Sequence, residues 1–163
     1  MAANTIFLDL VAIKGNSYHQ KFVGMVGINS YSHSASQTLT DDPTNATRTS
    51  GKATAGNFNF TKDTDSATSE LYQFCLLATV IPKVTLHVGT NTGMAGAWMP
   101  TIVYVLENVL VSSVSTAGSG GLPVDAFSLN FTKITCTYTK QDKDGKATGN
   151  VDYVFDKAST ANK

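Results

Sequence analysis

The chain has 163 residues, of which 42% are hydrophobic and 15% charged, and 12 Lys and Arg balance 12 Asp and Glu. One domain accounts for that length, with ~70% of the unfolded surface buried in a single core. Sparse, balanced charge excludes a nucleic-acid or anionic-membrane partner held by clustered cations, and no stretch approaches the ~20 uninterrupted apolar residues of a membrane-spanning helix.

Met1 to Thr5 lacks the basic start of a secretory signal, and Asp9 and Lys14 interrupt the apolar stretch from Ile6 to Ile13, so synthesis is expected to leave the chain in the cytoplasm. Ile6 to Ile13 reads as a first strand, ended by the turn Lys14-Gly15-Asn16-Ser17. Phe22 to Gln37 is a second strand region whose outer half, Ser30 to Gln37, is too polar for a core and is expected to face water. From Thr38 to Gly56 large apolar residues nearly vanish, which marks a long loop, and such loops inside compact domains are functional or disordered.

Phe58 and Phe60 mark a short strand. The only predicted helix follows, capped by Asp65 or Ser66, with Leu71, Phe74, Cys75 and Ala78 on one buried face and Pro82 preventing its continuation. Val84, Leu86 and Val88 alternate along a further strand. A Gly-rich loop leads from it to Trp98 and to the arm Thr101 to Val111, which is rich in β-branched residues.

That arm is apolar on both of its alternating faces. Val103, Val105, Val109 and Val111 therefore read as positions needing cover from something besides the protomer's own core, with a neighbouring subunit as one candidate. If the arm runs on to Thr116 it must bend or project, since such a strand would reach roughly 50 Å. The turn Ala117 to Gly121 reverses the chain. On the return arm Phe127, Leu129 and Phe131 alternate, and then Ile134, Cys136 and Tyr138 fall one residue out of phase. Such a phase change predicts a bulge near Thr132 and Lys133, or a switch to a different partner sheet. A hairpin turn at Asp144-Gly145 leads to a closing strand carrying Val151, Tyr153 and Phe155, and Lys157 to Lys163 reads as a polar tail. Many short strands and one helix indicate a mainly β protein, a β-barrel or two-sheet sandwich with one short covering helix.

Constellations that carry chemistry are missing. Asp142-Lys143-Asp144-Gly145 places its Gly two positions too early for a calcium loop, His19, His33 and His87 lack metal-ligand spacing, and no nucleophile elbow occurs. Cys75 and Cys136 fit two small buried residues rather than a disulfide. Glu107, isolated in an apolar strand, is expected to pair with a Lys. No cofactor, metal or catalytic residue is expected.

The run Tyr104 to Gly121 followed by Pro123, together with Ser128 to Ile134, resembles the haemolysin co-regulated protein (Hcp) family of type VI secretion systems. Ile6-Phe7-Leu8 with Ile13-Lys14-Gly15, Leu71-Tyr72, Ile81 to Leu86 and Gln141 to Gly145 extend the likeness over essentially the whole chain. Where the family often has an aromatic-Ser-aromatic-Gly stretch before its Ser-Gln, this chain has Tyr31-Ser32-His33-Ser34-Ala35-Ser36-Gln37. The resemblance implies one domain over 1–157 and a tail over 158–163. It also implies a structural subunit of a hexameric ring, whose rings stack into an inner tube that a contractile sheath expels. Further implications are effectors carried in the lumen, sheath and spike partners, assembly in the bacterial cytoplasm and export without a signal peptide.

On this likeness Thr40, Asp41, Asp42, Pro43, Asn45 and Arg48 contact the next ring, and Ser32 with Tyr31, His33 and Ser34 lines the channel. A monomeric β-barrel that binds a small ligand or sugar is the competing reading, and it requires a closed apolar cavity.

Overall fold

A computed structural model describes residues 5–39, 53–91, 98–144 and 146–160. In chain order the elements are β1 (Ile6–Asp9), β2 (Val26–Ile28), β3 (Ser30–Ser32), β4 (Ala35–Gln37), β5 (Ala53–Ala55), β6 (Phe58–Asp63), α1 (Ala67–Leu76), β7 (Ile81–Asn91), β8 (Trp98–Ala117), β9 (Val124–Asn130), β10 (Lys133–Gln141), β11 (Ala147–Asp156) and α2 (Lys157–Thr160). The loop residues 40–48 singled out from sequence lie outside the described residues.

Two sheets share β8. Its first half lies between β7 and β10, and β1 and β2 extend that sheet beyond β7 while β11 closes it beyond β10. Its second half pairs with β9, which pairs with β6 and then β3. Among the described residues the hydrogen-bonded order ends at unpaired edges, an open two-sheet sandwich rather than a closed barrel.

The phase change in the return arm is made by changing sheets, not by a bulge at Thr132 and Lys133. β10 faces the first half of β8 and β9 faces the second, in one continuous register: Lys133 opposite Glu107, Asn130 opposite Leu110. Between them β8 turns at Asn108, whose φ is 54°, a left-handed conformation that Asn tolerates better than most residues. Proline at position 82 of β7 falls opposite this turn, where it needs no ladder donor. Both strands therefore flip which alternate residues point inward, Leu106 then Val109 on β8 and Phe131 then Ile134 on the return, and all four are buried. A register shift between Val111 and Ser113 supplies a second bend. The long strand bends rather than projects.

Sequence alternation fixes the rest of the core. Phe58 and Phe60 of β6, Phe127 and Leu129 of β9, and Leu86 of β7 point between the sheets with Leu71 of α1. Each such buried side chain contributes ~1.5–3 kcal/mol relative to exposure. The first strand is shorter than its sequence suggests because Val11 adopts a φ of 59°, with its N–H donated to Asp9 Oδ1 at 3.0 Å. Phe22, placed by sequence on a strand, instead packs in an aromatic cluster with Phe7 and Trp98. Ser66 is the helix N-cap but makes no side-chain cap bond, and Asp65 Oδ1 accepts the Ala67 N–H at 2.9 Å in its place. The presumed polar tail begins with the short turn α2, anchored by Lys157 N–H donating to Thr132 O at 2.8 Å and by the Lys157 ammonium 4.4 Å from the Phe131 ring centre.

Candidate assembly surfaces

The sheet β8-β9-β6-β3 has two unlike faces. Register places Tyr31, Phe60, Phe127 and Val114 in one row toward the core, and Ser32, Asn59, Ser128 and Ser113 in the next row on the opposite side. A second outward row holds Ser30, Thr61, Ala126 and Ser115. These two rows are therefore hydroxyl- and amide-bearing apart from Ala126, and the charge on this side, Asp63, stands at the end of β6 where Asn29 donates to it at 3.0 Å. Side chains on this face bond to one another across strands: Ser30 to Thr61 at 2.5 Å, and Ser112 and Ser113 each to Ser128 at 2.6 Å. The face is concave, with a cavity of about 230 Å³ over Ser30, Ser32, Asn59, Thr61, Ser113 and Ser115.

The four residues assigned by resemblance to a channel divide along this alternation. Ser32 and Ser34 are exposed, and Ser32 lies on the polar face. Tyr31 and His33 turn inward: the Tyr31 ring lies 6.2 Å from Phe58, and His33 stacks on Phe58 at 4.4 Å with 3° between the planes. Burial, and then the Lys157 ammonium, lower the His33 pKa from its ordinary value. Its Nδ1 is buried without a hydrogen-bond partner among the described residues.

The four valines assigned to a subunit contact also divide. Val109 and Val111 are buried in the protomer's own core, so no second chain can reach them. Val103 and Val105 are half-buried on the outer face of the larger sheet, beside Thr137 and Thr135. Glu107 does meet a lysine, Lys133, at 3.4 Å, but both side chains are more than 40% exposed, where such a pair contributes little.

The buried charges are elsewhere, and the sequence reading missed them. Lys62 and Asp125 are fully buried, opposite each other on β6 and β9, with Nζ 2.8 Å from Oδ2. Lys62 also reaches Asp65 Oδ1 at 2.8 Å, Thr68 Oγ1 at 3.0 Å and Asp63 O at 3.2 Å. Thr64 and Thr116 donate to Asp125 Oδ1 at 2.9 and 2.8 Å, and Thr68 to Oδ2. Burial works to raise the Asp125 pKa, but Lys62 and the threonine hydroxyls outweigh it and hold it below the ordinary carboxylate value. A signal was available: Lys62 continues the inward alternation of Phe58 and Phe60, and Asp125 begins that of Phe127 and Leu129. Cys75 and Cys136 are free thiols, Cys136 buried as expected and Cys75 only half-buried near the helix end. Among the described residues no three His, Cys, Asp or Glu side chains group to hold a metal ion.

The sequence profile of a family described as "Type VI secretion system effector, Hcp" matches residues 7–138. The chain belongs to the Hcp family. Among curated proteins, Hcp1 of Pseudomonas aeruginosa is 32% identical over 100 residues, a match spanning 60% of this chain and 60% of that relative. The fold is that of solved Hcp structures. One described as a type six secretion system protein superposes with a TM-score of 0.89 at 23% identity, covering 97% of this chain and 98% of its own. Hcp1 from Salmonella typhimurium superposes with a TM-score of 0.76 at 20% identity, covering 95% of each chain. Within the Hcp fold described above, the polar sheet face and the edge at β11 are surfaces that the described residues of a single copy leave open.

Proposed function

We propose that this chain is a structural subunit of the type VI secretion inner tube: it closes into a hexameric ring, and rings stack into a tube that a contractile sheath expels. The observation that carries this reading is the concave Ser/Thr/Asn face of β3, β6, β8 and β9, in a chain of the Hcp family. A channel that passes other proteins must be wetted without gripping them. Charges would bind counter-charged cargo and apolar groups would trap exposed hydrophobic surface, whereas hydroxyls already bonded to one another offer neither. In this assignment Ser32 lies on the channel wall with Ser30, Thr61 and Ser115, while Tyr31 and His33 stiffen the wall from behind.

The segment 40–48 bridges adjacent rings, effectors ride in the lumen, and sheath and spike proteins are the remaining partners. Work is done by assembly rather than catalysis, with the ring built in the bacterial cytoplasm and exported without a signal peptide. Residues 1–157 act as one domain, with 158–163 as its polar C-terminal tail. Electron microscopy of Ser32→Arg/Thr61→Arg tests the wall. Rings of unchanged diameter with loss of co-purifying effector support the assignment, and retention of every effector despite the new charges refutes it.

A further inference from the structure

The inward face of the larger sheet outruns its own core. Leu106, Ile134 and Phe155 form one inward row, Tyr104, Cys136 and Tyr153 the next, and Ile102, Tyr138 and Val151 a third, with Leu106 and Ile134 buried. Toward β11 cover runs out: Tyr138 is 44% exposed, Tyr153 48% and Val151 51%, although all three have the orientation of core residues. Beside them lies an open groove of about 480 Å³, walled by Ile134, Tyr153 and Phe155 on one side and by His33, Ala35 and Ala55 at the β4 and β5 strands on the other. Among the described residues no charged side chain lines it.

A second apolar patch stands on the far side of β8. Leu76 ends α1 at 81% exposure, Leu77 is 67% and Val80 49% exposed, and the uncharged run Leu76-Leu77-Ala78-Thr79-Val80 enters β7 directly. Ala78, at φ 50°, ends the helix abruptly and leaves these side chains on a convex corner. β7 and β11 lie on opposite sides of β8 in the sheet order. A closed ring of identical chains needs two such unlike, complementary patches on opposite flanks, since each copy meets the next head to tail. Further exposed apolar corners are Leu122 with Val124 at the turn into β9, and Tyr18 with Val23, which flank in sequence Lys21, whose charge a groove without counter-charges would desolvate unpaired.

We infer that Leu76, Leu77 and Val80 of one copy seat in the groove between β11 and the β4–β5 strands of the next, completing a core that each copy leaves unfinished. This rests on the ring reading and names the contact that closes it. The test uses two full-length chains with Cys75→Ala and Cys136→Val, one carrying Leu77→Cys and the other Val154→Cys, which borders the groove. Mixed under mild oxidation, they should give a disulfide-linked dimer absent from either chain alone. Leu77→Asp, at an exposed position and with an unchanged circular-dichroism spectrum, should convert rings to monomers. Ring formation with no cross-link and no effect of Leu77→Asp overturns the docking while leaving the ring intact. A monomer at every concentration before any substitution removes the ring itself.

Discussion

Lys62→Met isolates the energetics of the buried pair. The substitution keeps the length and most of the volume of the side chain but removes the ammonium, leaving Asp125 fully buried with only the hydroxyls of Thr64, Thr68 and Thr116 as donors. Removing one partner of a buried pair strands the other charge, and the expected loss is about 3–5 kcal/mol. The carboxylate answers by taking up a proton, so the deficit shrinks at low pH. At about 2–4 °C per kcal/mol for a domain of this size, the melting temperature should fall by roughly 10 °C. Denaturant unfolding at one fixed protomer concentration is the assay, because ring formation adds its own concentration-dependent term. Lys62→Met/Asp125→Leu removes both charges and should recover most of the loss, since well-packed apolar replacements of buried pairs are often neutral. A single-mutant loss below ~1 kcal/mol, or a double mutant as unstable as the sum of its parts, would refute the reasoning.

Acid should weaken the fold through His33, His87 and Asp125. The His87 pKa is lowered by burial more than Asp9 raises it, so the unfolded chain binds the proton more readily and stability falls as pH drops below the ordinary His value of 6.5. His87→Phe should flatten unfolding midpoints between pH 7 and 5, and an unchanged slope would contradict the assignment. The depressed Asp125 carboxyl contributes stability above the ordinary carboxylate range that is lost as pH falls through its folded value, so Asp125→Asn should remove the steepest part of the acid limb. Asn108→Val should cost ~1–2 kcal/mol because β-branched residues resist its left-handed backbone, whereas Asn108→Gly should be tolerated; equal melting curves for the two would argue that β8 does not turn there. Gly89→Ala should destabilise by more than either, because a Cβ there meets the backbone oxygen of Met99 and the Trp98 indole, and an unchanged melt would refute that close approach. Deleting Asp41 to Thr47 should spare rings and abolish stacking, with tubes that persist in electron micrographs as the contrary result.

Much of this fold was legible because alternation is a strong signal where one face is buried. Phe127, Leu129 and Phe131, the Val84 to Val88 strand and Leu71 of the helix fall where their periodicity places them, whereas Ala78, expected on the buried helix face, lies past the helix end at Leu76 and is exposed. The sheet switch near Thr132 was legible as a phase change but not as a choice between bulge and switch, since that depends on Asn108 across the ladder. The interface valines were misjudged for a related reason. A strand apolar on both faces has too much apolar surface for one layer, but sequence does not tell which residues its own protomer covers, and the turn at Asn108 brings both Val109 and Val111 inside. Tyr31 and His33 were grouped with Ser32 and Ser34 by adjacency, though strict alternation separates them. Lys62 and Asp125 were overlooked because charged residues inside an apolar alternation look like interruptions until their cross-strand register pairs them.

The central claim is that one copy of this chain is incomplete and that copies close into a ring. Multi-angle light scattering of the purified protein across a hundredfold range of concentration tests it most directly. The account predicts a stable hexamer mass over most of that range; a strict monomer throughout would contradict it.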